Sequence, residues 1–149
     1  MQRCLINYKQ IQEMIQIDCQ CSECTRKIKA NIGQTSIDLQ LRWYFSYCCP
    51  YCDCVIEMDD IGFPPQDIRR AILAQEGEWE LVIDKTSLSD KVKALKILRN
   101  ALNLSIQKAS KLKKNFPYLA SGTKAEMNWL KKFLGNEKIE SVANKKGDL

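Results

Sequence analysis

Two cysteine-rich stretches carry the residue types best suited to chemistry in this chain. They are Cys19-Gln20-Cys21-Ser22-Glu23-Cys24 and Cys48-Cys49-Pro50-Tyr51-Cys52-Asp53-Cys54. Each holds a CxxC pair, Cys21/Cys24 and Cys49/Cys52, and 24 residues separate the pairs. Two cysteines three apart on a tight turn can set both sulfurs on one ion, and two such turns complete a tetrahedron. The spacing predicts a structural zinc site with Cys21, Cys24, Cys49 and Cys52 as ligands. Pro50 fixes one φ angle inside the second turn, as such a turn tolerates. Cys49 is preferred to Cys48 because it stands three residues before Cys52. Cys19, Cys48 and Cys54 either bind a second metal, exchange as ligands, or are spare strand cysteines. Cys4 reads as a small buried hydrophobe.

The rest of the composition narrows the function. The 149 residues include no histidine, which removes the usual general base, the mixed Cys/His zinc site and any Cys-His nucleophile pair. With four or more thiolates available, a closed structural site is favoured over a catalytic one, and no constellation argues for an enzyme. Met1 is followed by polar Gln2 and Arg3 rather than by an apolar stretch, so no secretory signal is expected. No run approaches the ~20 apolar residues of a membrane span. The expectation is a cytoplasmic protein whose cysteines stay reduced and bind metal. The net charge of +5 is unevenly divided. Residues 1–84 hold 8 Lys/Arg against 13 Asp/Glu, and residues 85–149 hold 15 against 5, giving −5 and +10. A split of this kind suggests two modules, the second facing an anionic partner or simply presenting a solvated lysine surface.

The elements that must position these residues follow from periodicity. Gln2 to Ile17 reads as a short lead-in segment. Ile17 to Ile56 reads as a zinc ribbon, a small antiparallel β module. It has a short strand over Arg26–Ala30, a turn at Asn31-Ile32-Gly33-Gln34, and a strand in which Leu39, Leu41, Trp43, Phe45 and Tyr47 alternate with polar residues. That aromatic stripe is the core face of a small sheet, or else a surface for stacking bases. Gly62, Pro64 and Pro65 mark a break. Pro65 starts a connecting helix with Ile68, Ala71, Ile72 and Leu73, ending near Gly77. The domains predicted are a zinc-ribbon module over 1–58, a connecting helix and linker over 59–77, and a second domain over 78–149.

In the second domain, Glu78–Ile83 reads as a strand, and Ser87 or Ser89 caps a helix with apolar Val92, Ala94, Leu95, Ile97 and Leu98. Asn103 breaks it. A second helix spans Ser105–Lys114, and Phe116–Ala120 is a short strand. Thr123 and Glu126 form a capping box for a third helix with Met127, Leu130, Phe133 and Leu134 on its apolar face. Gly135 stops that helix, and Lys138–Val142 is the last strand. The fold class expected is α+β, with a β-α-α-β-α-β sandwich, one helical layer on a small sheet, after the ribbon.

Lys91-Val92-Lys93-Ala94-Leu95-Lys96-Ile97-Leu98-Arg99, followed by Leu104-Ser105-Ile106-Gln107-Lys108-Ala109, resembles the C-terminal domain of the bacterial ribosomal stalk protein (L seven/L twelve). The likeness covers about Gly77 to Val142, and the flanking elements agree in kind and order. It implies a docking face on the first of these helices that recruits the GTPase factors of translation. The matching residues are Lys91, Val92, Leu95, Lys96 and Arg99. A basic stalk-type domain joined to a zinc ribbon implies a job other than that of the stalk itself.

These readings give a non-enzymatic, zinc-containing interaction or adaptor protein of the cytoplasm whose basic domain docks a protein partner. A translation-associated GTPase is the partner the resemblance implies. The alternatives are a nucleic-acid-binding zinc-ribbon protein and a small inhibitor or immunity protein that blocks a partner enzyme, with a hydrolase the most distant.

Overall fold

The computed structural model describes residues 15–83 and 87–147. Cys4 and most of the expected lead-in segment lie outside them. The fold is mixed α+β. The chain divides into two compact units between Gln75 and Glu76. Among the described residues, no helix is long and apolar enough to cross a membrane.

The first unit is a four-stranded antiparallel sheet in sequence order, β1 (Ile15–Gln20), β2 (Lys27–Ile37), β3 (Gln40–Cys48) and β4 (Val55–Ile61). The helix α1 (Gln66–Glu76) follows it. β1 was read as the end of an irregular lead-in and the start of the first turn, although Ile15, Ile17 and Cys19 alternate with Gln16, Asp18 and Gln20 in the period-2 pattern of a half-buried strand. On its exposed side the Lys29 ammonium bonds to Asp18 of the facing strand and holds that carboxyl below its usual range.

The turn expected at Asn31–Gln34 is not there: these residues lie inside β2. Gly33 serves packing instead, since a Cβ at this position would stand 2.2 Å from the Tyr44 ring. The chain reverses at Asp38 and Leu39, whose φ angles of 49° and 62° make the two-residue primed turn that matches strand twist. The period-2 pattern of β3 holds. Trp43 and Phe45 pack toward Ile15, Ile32, Ile68 and Ile72, and Phe45 and Tyr47 pack toward the cysteines. α1, expected as a connecting helix, is thus part of the first unit's core. Its end is set by Gly77, at φ 83°.

The second unit runs β5 (Trp79–Val82), α2 (Leu88–Ala101), α3 (Ile106–Lys114), β6 (Tyr118–Gly122), α4 (Lys124–Asn136) and β7 (Val142–Lys145). β5 is central and pairs antiparallel with β6 and β7. α4 packs on all three strands, α2 packs on α3 and α4, and α3 reaches β6. Leu81, Ala94, Leu98, Leu119, Leu130 and Leu134 are fully buried.

Local signals set the helix ends. The hydroxyls of Ser87, Ser105 and Thr123 accept from the amides of Asp90, Lys108 and Glu126. The Thr123 hydroxyl also donates to Glu126 Oε2 at 2.9 Å, which gives that buried carboxylate a partner. Gly135 does not stop α4. The helix closes at Lys138, in the left-handed region at φ 59°, with the Ile139 amide bonding back to Leu134 and the Lys138 amide to Gly135. The last strand is shifted accordingly, from the expected Lys138–Val142 to Val142–Lys145.

Candidate metal centre and docking face

The first CxxC sits in the turn between β1 and β2, and the second in the turn between β3 and β4. The two turns have the same backbone hydrogen bonds. The Cys21 amide donates to the Arg26 carbonyl and the Thr25 amide to the Cys21 carbonyl, at 2.9 and 3.0 Å. The Cys49 amide donates to Cys54 and the Asp53 amide to Cys49, at 2.8 and 3.0 Å. Thr25 and Asp53, each directly after the second cysteine of its pair, both adopt φ 61°. Arg26 lies over the Tyr51 ring at 4.6 Å from its centroid, so the two turns also touch through side chains.

This symmetry brings four sulfurs together. The Sγ atoms of Cys21, Cys24, Cys49 and Cys52 all lie within 4.8 Å of one another. Cys21 and Cys52 are 3.5 Å apart, and Cys24 and Cys49 are 3.6 Å apart. Sulfurs about 2.3 Å from a central tetrahedral ion would be separated by about 3.8 Å. The set therefore has the size and donor chemistry to hold a metal ion such as zinc. Cys21 and Cys49 are buried, Cys24 is half-buried and Cys52 is exposed. Ile28, Ala30 and Tyr47 close the buried side. The Tyr47 hydroxyl accepts from the Ser22 amide and donates to the Ser22 hydroxyl, both at 3.1 Å, which ties β3 to the first turn.

The thiols cannot all ionise alike at such separations. The Cys24 amide, bonded to the Cys21 sulfur, brings the Cys21 thiol down to about 6 against the effect of desolvation. For Cys52 the Cys54 amide pulls downward, but desolvation and the Cys21, Cys49 and Cys24 thiols outweigh it and push Cys52 up to about 12. Cys24 moves up for similar reasons: the Arg26 amide opposes the shift, while desolvation and the Cys49 and Cys21 thiols drive it. A divalent cation is what would let all four sulfurs carry charge at once.

The other described cysteines stand apart from this cluster. Cys19 and Cys54 are free and half-buried, packed against its apolar side. Burial, then the neighbouring Cys21 and Asp18, raise the Cys19 thiol. Cys48, beside the ligand candidate Cys49, is disulfide-bonded, which corrects the expectation that the cysteines all stay reduced and takes Cys48 out of the candidate ligands.

On α2, Ala94 and Leu98 are buried, while Val92, Leu95, Lys96 and Arg99 form an i, i+3, i+4, i+7 stripe on the other side. Val92 is 58 % exposed. Leu95, Lys96 and Arg99 border a groove of about 200 Å³ whose other wall is Ile106, Ala109, Ser110 and Lys113 of α3. No acidic residue lines it. Arg99 Nε also donates to the Leu104 carbonyl at 3.3 Å and so braces the α2–α3 loop. Lys91 points elsewhere, with its ammonium 5.6 Å from the centre of the Phe116 ring. Periodicity put Ile106 on the apolar face of its helix with Ala109 and Leu112, yet Ile106 is 67 % exposed, and Lys113 was not singled out, because their place opposite α2 depends on how the helices pack.

Comparison with family models, curated proteins and solved structures finds no match for this chain.

Proposed function

We propose that this is a non-enzymatic, zinc-containing interaction protein of the cytoplasm. In this reading zinc is structural at Cys21, Cys24, Cys49 and Cys52, and the basic second domain docks a protein partner, a GTPase of translation. The zinc reading is supported by an all-thiolate donor set of tetrahedral size. The observation that carries the docking reading is the stripe of exposed Val92, Lys96 and Arg99 with half-buried Leu95, beside a groove with no acidic lining. An exposed apolar strip flanked by cations suits an acidic, amphipathic segment of a partner. The resemblance of this helix pair to the stalk domain supports the GTPase as the partner class.

The test is direct binding of the full chain to a purified translational GTPase, with Lys96→Glu/Arg99→Glu beside the wild type. Specific binding that the double variant loses by tenfold or more, with a melting temperature lowered only by the few degrees that loss of the exposed Arg99–Leu104 bond accounts for, is the expected result. No binding by the wild type, or equal binding by the variant, would sink the docking reading.

Nucleic-acid binding is the second reading. Lys108, Lys111, Lys113 and Lys114 are exposed on α3, which carries no acidic residue. It predicts affinity for RNA or DNA that falls steeply with salt and survives the Lys96/Arg99 change.

A further inference from the structure

α4 contains a glycine that the fold does not require. Gly135 lies inside the helix, its φ is not positive, and a Cβ built on it would meet nothing within 4 Å. Glycine is the poorest helix former after proline, so a position with room for a side chain and a helical backbone ordinarily favours another residue. Gly135 forms part of the wall of a surface cavity of about 560 Å³. That volume lies within the range typical of small-molecule sites.

The other walls are of two kinds. Val82 and Val142 are paired across β5 and β7, so their side chains share a face of the sheet, and Ile139 joins them. Val142 is 51 % exposed. Lys131 and Lys138 also line the cavity, facing a single acid, Glu140. Among the described residues neither lysine has an ion pair. Lys138 is held in its left-handed conformation by the helix-closing hydrogen bonds, which fixes where its side chain starts.

We propose that this cavity, kept open by Gly135, binds a small organic anion: a carboxylate head on an apolar body. The head is held by Lys131 and Lys138, and the body lies on Val82, Ile139 and Val142. The site is separate from the cysteine cluster and from the α2–α3 groove, and does not depend on the function proposed for either.

Equilibrium dialysis and calorimetry on the full chain test it with three probes: octanoate, octanol and inorganic phosphate. Saturable octanoate binding is expected, at least tenfold tighter than either of the others. Gly135→Leu should weaken it at least tenfold without lowering the melting temperature, because the new side chain projects into the cavity where the apolar body would lie and improves the helix. Lys131→Gln with Lys138→Gly should weaken it at least fivefold; glycine at position 138 keeps the left-handed backbone, so the loss would report charge and not unfolding. The proposal falls if octanoate does not saturate, if octanol or phosphate binds as tightly, or if Gly135→Leu binds octanoate like the wild type.

Discussion

Thr25 and Asp53 show how the cysteine turns are built residue by residue. Each takes the left-handed conformation directly after a CxxC, at φ 61°. A β-branched residue is poorly suited to that region, while aspartate tolerates it better. Thr25→Gly is expected to raise the stability of the metal-loaded protein by about 1 kcal/mol, or ~4–8 °C in a unit of this size. The lost bond from the Thr25 hydroxyl to the Cys24 carbonyl offsets part of the gain. Asp53→Gly should gain less, and the two melting curves decide it. The cysteines themselves divide by position. Cys49→Ser should lose the metal and at least ~3 kcal/mol of stability, while Cys19→Ser and Cys54→Ser should keep the metal, as elemental analysis of the purified variants would show. Acid should act on the same atoms. In the metal-free site the Cys21 thiol is lowered to about 6 and Cys52 is raised to about 12, so at neutral pH the Cys52 proton must leave when metal binds. Protons therefore compete with metal. Apparent affinity should rise about tenfold or more per pH unit above 7 and fall more steeply below 6, where Cys21 also takes a proton. A pH series of competitive chelator titrations reads this directly, and a flat profile would contradict it.

At the level of elements, local signals were read well and side-chain packing was not. The helix caps at Ser87 and Thr123, the start after Pro65 and the stop at Gly77 all depend on neighbours within four residues, and each is found where the sequence suggests. Gly33 and Gly135 were misread for one reason. A glycine can mark a turn, a stop or a close approach, and only the facing element tells which. Gly33 lies under the Tyr44 ring in the middle of β2. Gly33→Ala should cost about 1–2 kcal/mol, since the ring must swing aside, and a Tyr44→Ala background should remove most of that added cost. A double-mutant cycle by urea unfolding measures the coupling. Additive losses would mean that Gly33 is needed for some other reason. β1 went unrecognised although it alternates cleanly, because that run is only six residues long and was divided between an irregularly spaced lead-in and the first cysteine turn.

For the whole molecule, metal should matter unequally along the chain. The cysteine cluster forms one continuous apolar group with Ile28, Ala30 and Tyr47 in the first unit. The second unit has its own core around Leu81, Leu98 and Leu130. Removing metal with a chelator should collapse amide-exchange protection across β1–β4 while leaving β5 and α4 protected. Equal loss in both units would show that they fold as one. What the sequence determined alone was whatever depends on spacing and neighbours: the paired CxxC turns, the helix periodicity, the caps and the charge divide between halves. Only the tertiary structure decided what depends on residues far apart in the chain. It brought Cys21 to Cys52 and Cys24 to Cys49, set Ile106 and Lys113 across a groove from Leu95 and Arg99, and left a cavity beside Gly135. Sequence periodicity reports which face of an element is turned inward. It carries no information about which other element that face meets, and the sites of this protein are formed at those meetings.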